Sequence, residues 1–337
     1  MMFFMGFSLV LIAGFFQGSF FLPMTLTKKW EWEHSWGTFS LFGMLIFNWV
    51  LAFLLIPNIL SIYQSVASID VITLILFGAG WGIGAILFGL GMDKLGMALG
   101  YPIIMGLIAS LGSLIPMSIF FPEALLQAKG LVLLAGMMVT IIGIILCAQA
   151  GARKSPESSN PSKLESKEFA GGLVIAIFAG ILSCLPNVGM AFGSNVIEAA
   201  KISGVSDTFA GNVVWFLFYT VGFTVNFGYC LFLMFKRKTA KKYFNQETKR
   251  NLFLCILMAI MWIGSFYLYG MSTAKLGQWG IIVGWPLFIS LSIVVGNLWG
   301  LWRGEWKGAS SKAKSLLYKG IAVLIVAVII IGISNSL

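Results

Sequence analysis

Long apolar runs separated by short polar breaks make up this chain, and most of the runs have the length of a membrane helix. About 20 apolar residues cross a hydrocarbon core. Ten such spans are predicted, at 3–24, 37–57, 70–92, 97–121, 129–150, 169–193, 208–235, 251–273, 277–302 and 315–335. The fold class expected is therefore an all-α polytopic membrane protein with ten transmembrane helices. Two breaks are longer than the rest: the Ser/Pro-rich 151–168 (GARKSPESSNPSKLESKE) and the basic 236–250 (KRKTAKKYFNQETKR). The first reads as a flexible linker by composition. It divides the chain into a five-helix repeat at 1–150, a polar cytoplasmic linker at 151–168 and a second five-helix repeat at 169–337. The apolar start runs straight into a full-length span, so a cleavable leader is not expected.

The apolar pattern also repeats. Trp81 to Gly96 (WGIGAILFGLGMDKLG) returns as Trp262 to Gly277 (WIGSFYLYGMSTAKLG), with Trp81, Gly89 and Lys94-Leu95-Gly96 matched at one offset of 181 residues. Five spans per repeat is an odd number, so the second repeat must cross the bilayer in the opposite sense. Inverted repeats of this kind are a recurring plan of secondary transporters. The duplicated Trp81 and Trp262 then fall on equivalent helices, the third and the eighth.

Composition strengthens the membrane reading. Hydrophobic residues make up 59% of the chain and charged residues only 10%, whereas a soluble domain is about a quarter charged. The net charge of +10 belongs to topology. The odd-numbered loops hold 19 of the 22 Lys and Arg residues, and cytoplasmic loops carry that excess. Both termini are expected on the periplasmic side of a bacterial inner membrane. No nucleic-acid partner is needed, although the basic loop can also attract anionic membrane lipid. The four cysteines are isolated in apolar sequence, no metal cluster is readable, and no phosphate-binding GxxxxGK[ST] loop is present, which argues against an ATP-driven pump. Neither a cofactor nor an enzymatic nucleophile–base set is expected.

Aromatic and amide side chains carry the candidate chemistry. Trp81 and Phe88 share one face of span three; Trp262, Phe266 and Tyr269 form the matching face of span eight. Aromatic rings stack on the C–H face of a sugar, and an indole N–H or phenol supplies a directional bond. Gln17, Asn187 and Gln278, with Trp285 on the face of Gln278, are buried polar or aromatic candidates. Each amide ties neighbouring helices or meets a ligand hydroxyl. For Asn212, Asn226 and Asn297 the helix tie is the preferred reading, with Tyr219 in the same row as the first two. Intramembrane charge is scarce, so the expected cargo is neutral and hydroxyl-rich. If a proton is coupled, Glu198, Asp207 and Asp93 are the candidate carriers, against a reading as solvated helix-end charges. His34 is expected at the interface, within an aromatic belt of Trp30, Trp32 and Trp36.

Several motifs together resemble the L-rhamnose–proton symporter family of the drug/metabolite transporter superfamily. They are Lys28-Lys29-Trp30-Glu31-Trp32-Glu33 with Trp36, Pro57-Asn58, Phe77-Gly78-Ala79-Gly80-Trp81-Gly82-Ile83-Gly84, Gly89 with Leu95-Gly96-Met97, Gly180 with Ser183, Glu198-Ala199-Ala200, Gln278 and Glu305-Trp306. The resemblance covers nearly the whole chain. It implies ten helices in two inverted repeats, a central cavity formed by helices one, three, four, six, eight and nine, and proton-driven uptake of a deoxyhexose. Trp279 to Pro286 and Pro186-Asn187 depart from the family's pattern. The expected function is import of a neutral sugar, most specifically L-rhamnose, with a proton by alternating access. The alternatives are an exporter or exchanger of another small metabolite, or a membrane sensor without flux.

Overall fold

The structure is a computed structural model that describes residues 2–154 and 166–334. Among these residues its regular structure is all helical, with no strand, and ten helices are long and apolar enough to cross a membrane. They are α1 Met2–Leu26, α2 Trp32–Leu55, α3 Ser68–Leu95, α4 Gly100–Phe120, α5 Ala128–Arg153, α6 Phe169–Phe192, α7 Asp207–Arg237, α8 Thr248–Leu276, α9 Gly280–Trp302 and α10 Ser311–Ser334. The chain is thus a multi-pass membrane protein, as its hydropathy pattern predicts. Of the predicted linker, 151–154 and 166–168 are helical and residues 155–165 lie outside the described residues.

Helix ends follow local chemistry. The repeated Lys-Leu-Gly closes α8 at Gly277, whose φ of +81° suits a residue without a Cβ. Its first copy marks the end of α3. The backbone stays helical from Ser68 to Phe120, yet a Cβ on Gly100 would lie 3.1 Å from the carbonyl oxygen of Gly91. A straight helix separates residues nine apart by about 13.5 Å, so the chain folds back between α3 and α4. In α2 a π-helical stretch, Ser40–Phe47, separates the α-helical turns Trp32–Phe39 and Asn48–Leu55. The α6 helix is also broken, into Ser166–Ser183 and Leu185–Phe192, just before Pro186.

Two compact units form. The first comprises Met1–Ile83 and Gly189–Gln278; the second comprises Gly84–Val188 and Trp279–Leu337. Each therefore draws on both of the expected repeats, 1–150 and 169–337. Lipid gives apolar helices no hydrophobic drive to associate, so close packing and interhelical hydrogen bonds must hold each unit together.

In the first unit, buried Asn48 donates to the carbonyls of Trp215 and Phe216 at 3.1 and 3.2 Å and accepts from the Tyr267 hydroxyl at 3.1 Å. Asn226 accepts from the Trp36 indole at 3.0 Å and donates to the Gly222 carbonyl at 3.0 Å. These bonds tie α2 to α7 and α8. At one end, the α1–α2 connection is clamped to the α7–α8 connection. Fully buried Glu33 accepts from Arg237 at 3.2 Å and from the Thr239 hydroxyl at 2.8 Å. Beside it, Asn251 donates to the Lys28 carbonyl at 2.7 Å.

His34, expected at the interface, is fully buried in this clamp. Its Nδ1 accepts from the Glu31 backbone N–H at 3.1 Å, and its Nε2 lies 3.0 Å from the Thr239 carbonyl. The two bonds together specify the neutral tautomer with the proton on Nε2. Lys242 pairs with exposed Glu31 and, chiefly through that hydrogen bond, holds its carboxyl below the usual carboxylate range. Burial pushes the Tyr243 phenol up. Trp30 and Trp36 point their N–H groups inward, to the Tyr243 carbonyl at 3.3 Å and to Asn226. Only Trp32 of the expected belt is exposed.

In the second unit, α4, α6 and α9 meet around Asn187. Its amide nitrogen donates to the carbonyls of Gly112 at 2.7 Å and Ile281 at 2.9 Å. Trp285 donates to the Ile108 carbonyl at 2.8 Å, and Thr140 and Ser290 join α5 to α9 at 3.2 Å.

Candidate functional site

The duplicated tryptophans come together. Trp81 on α3 and Trp262 on α8 stack with ring centroids 5.7 Å apart and an interplanar angle of 23°. Tyr219 on α7 packs its edge against both, 5.1 Å from Trp81 and 4.7 Å from Trp262. Phe266 lies 5.1 Å from Trp262 and 5.0 Å from Tyr219; Trp215 stacks on Tyr219 at 5.4 Å. Phe39 closes the far side of Trp262 at 5.3 Å. The cluster works because α7 presents Gly222 to the indole of Trp81. A Cβ there would stand 2.7 Å from the ring. None of these rings carries charge, and the cluster lies entirely within the first unit.

Gln17 joins the same neighbourhood. Its side-chain oxygen accepts from the Ser265 hydroxyl at 2.8 Å, and that hydroxyl also reaches the Trp262 carbonyl at 2.6 Å. Tyr269 lies two turns beyond Trp262 on α8 and is fully buried. Gln278 belongs to the first unit by sequence, and its side chain lies outside the described residues.

The remaining predicted residues fall in the second unit, where Asn187 and Trp285 meet around Gly112. Both use their N–H donors on backbone carbonyls, as described above. A Cβ on Gly112 would overlap the Trp285 ring, so the absent side chain admits the indole. Phe88 is half-buried in the same unit.

The acidic candidates lie at the surface. Glu198 and Asp207 flank Lys201 at 3.4 and 3.9 Å, with carboxylate side chains 63% and 83% exposed. Asp93 is exposed as well. The one fully buried carboxylate among the described residues is Glu33, which the sequence reading counted only as part of a motif. Its burial depends on partners about 200 residues away, and no local pattern reveals them. No group of three or more His, Cys, Asp or Glu among the described residues is arranged to hold a metal ion.

From the sequence, Tyr219 stands only in the row of Asn212 and Asn226, with no role of its own. Its hydroxyl is buried and has no hydrogen-bond partner among the described residues. Leaving such a group unmatched costs about 1–3 kcal/mol, which sets it apart from the matched Tyr267.

Chemically, the first-unit cluster brings buried aromatic rings together with an amide and a phenol, with no fixed charge. That set suits a ligand with C–H faces and neutral hydroxyls.

Comparison with known proteins shows the family. The family described as L-rhamnose-proton symport protein (RhaT) matches residues 2–336. Proteins named L-rhamnose-proton symporter from Shigella dysenteriae serotype 1, Escherichia coli O1:K1 / APEC and Shigella boydii serotype 18 are each 31% identical, over 97% of this chain and 96% of their own length. The relatives are thus named as transporters, in keeping with the expectation that this is not an enzyme. With ten membrane-length helices and a match along almost its whole length, the chain belongs to the L-rhamnose–proton symporter family.

Proposed function

We propose that this protein imports L-rhamnose together with a proton across the bacterial inner membrane, by alternating access. The observation that carries the reading is the stacked Trp81–Trp262 pair, in which two sequence-duplicated positions form one uncharged aromatic cluster. The relatives' shared name supplies the sugar and the ion. The C–H face of the sugar stacks on this cluster, and Gln17, beside Trp262, bonds a hydroxyl. Tyr269 extends the aromatic lining on the same unit, and Gln278 is proposed from the sequence alone as a further partner of a sugar hydroxyl.

Glu198 carries the proton. A proton-loading group must meet water, and Glu198 does so with Lys201 as its counter-charge. The duplicated halves are inverted five-helix repeats, and the odd-numbered loops face the cytoplasm.

Reconstituted protein is expected to accumulate labelled L-rhamnose in proteoliposomes when the outside is acidic, and to stop when a protonophore is added. Glu198→Gln is expected to abolish accumulation while keeping sugar exchange at equal concentrations. Uptake that ignores the gradient in wild-type protein would sink the symport reading. Accumulation by Glu198→Gln at the wild-type level would move the proton to another group.

A further inference from the structure

Helix α7 carries Asn212, Tyr219 and Asn226 at seven-residue intervals, so the three lie along one stripe about 10.5 Å apart. All are fully buried. Asn226 is matched, by the Trp36 indole and the Gly222 carbonyl. Asn212 accepts from the Trp215 indole at 3.2 Å, and its amide nitrogen has no partner among the described residues. The Tyr219 hydroxyl has none either. Its ring is held by Trp262, Phe266, Trp81 and Trp215 at centroid distances of 4.7 to 5.4 Å.

Ring packing accounts for an aromatic residue at 219. It does not account for the oxygen, which phenylalanine would omit without loss of any contact named above. Where a tyrosine hydroxyl serves the architecture of this unit, it is bonded: Tyr267 donates to Asn48 at 3.0 Å. Tyr243 likewise donates to the His34 carbonyl at 3.1 Å.

We infer that the Tyr219 hydroxyl bonds one hydroxyl of the transported sugar and sets which sugar is accepted. The inference rests on the neutral-sugar reading above. A phenol both donates and accepts, as a sugar hydroxyl does. Its position at the edge of the Trp81–Trp262 stack puts it beside the rings against which the sugar lies. A site built to bond a hydroxyl rejects an analogue that lacks it, because the site's own polar group is then left unmatched. Tyr219 therefore distinguishes hexoses that differ at a single hydroxyl, which the aromatic faces alone do only weakly.

The test compares full-length wild-type and Tyr219→Phe protein in detergent and in proteoliposomes. L-rhamnose and its monodeoxy analogues serve as probes, and thermal stability is read without sugar. Without sugar, the variant is expected to be as stable as wild type or more so, since an unmatched hydroxyl is removed. Its affinity for L-rhamnose is expected to fall about tenfold. One monodeoxy analogue, bound about tenfold more weakly than L-rhamnose by wild type, should be bound equally by the variant.

Unchanged affinity and unchanged analogue ranking in the variant would overturn the inference and leave the function standing. A loss of sugar-free stability alongside affinity would assign the hydroxyl a structural bond and overturn it too. The wild-type ranking is an independent check should the variant not fold, because equal binding of every monodeoxy analogue also overturns the inference. Wild-type protein that binds none of these sugars would overturn the function reading itself, and Tyr219's role with it.

Discussion

At Gly222 a methyl group would stand 2.7 Å from the six-membered ring of Trp81, closer than any relaxed carbon contact. Gly222→Ala must therefore shift the indole relative to Tyr219 and Trp262, while removing no hydrogen bond. Ala is also the better helix former by about 1 kcal/mol, so the fold should survive. The expected result is sound expression, a melting temperature within a few degrees of wild type and an L-rhamnose KM about tenfold higher. Wild-type transport kinetics would take Trp81 out of the site. Trp81 and Trp262 were legible in the sequence because duplication marks them among 12 tryptophans. Tyr219 was not, because a phenol on a helix stripe looks the same whether its hydroxyl is matched or orphaned. That difference is decided by neighbours on other helices. Gln17 was legible as an amide within an apolar helix, and it is half-buried, but its partner Ser265, 248 residues away, was not legible.

The helices themselves were readable wherever length and hydropathy decide, although α3 and α8 run on to Leu95 and Leu276, beyond the predicted ends at 92 and 273. The π-helical stretch of α2 was not, since SLFGMLIF is as apolar as the α-helical turns around it. The clamp at Glu33 escaped for a similar reason: its bonds join segments 204 to 206 residues apart.

Asn187 shows what the sequence left open, since an amide in α6 suits a ligand or a neighbouring helix equally. Its two bonds to the Gly112 and Ile281 carbonyls make it a tie between α4, α6 and α9. Interhelical hydrogen bonds in membranes average about 0.6 kcal/mol and reach about 1.7, so Asn187→Ala is expected to cost about 1–3 kcal/mol. The check is thermal unfolding of detergent-solubilised protein without sugar, which should show a clear drop. Unchanged stability combined with lost sugar affinity would return Asn187 to a ligand role.

For the whole molecule, sequence repeats and compact units do not coincide. The chain passes from one unit to the other after Ile83, Val188 and Gln278, whereas the proposed repeats divide at the polar segment 151–168. Similarity along the sequence records duplication, whereas compactness records which helices pack together, and the two need not divide a chain at the same place. Orientation is a separate property again, decided by charge during insertion. With 19 of 22 basic residues in the odd-numbered loops, those loops should stay in the cytoplasm even if one of them is altered. Neutralising all seven Lys and Arg of 236–250 would still leave 12 against 3.

Cysteine labelling checks this directly, because the four native cysteines are buried. Lys241→Cys, at an exposed position in the α7–α8 connection, should react with a membrane-impermeant maleimide only after the inner face is opened. Ser203→Cys, exposed between α6 and α7, should react in intact spheroplasts. The opposite labelling of the two sites would reverse the assignment of every loop, because each span inverts the side of the next. It would leave the aromatic cluster and its chemistry unchanged, since neither depends on which way the molecule faces.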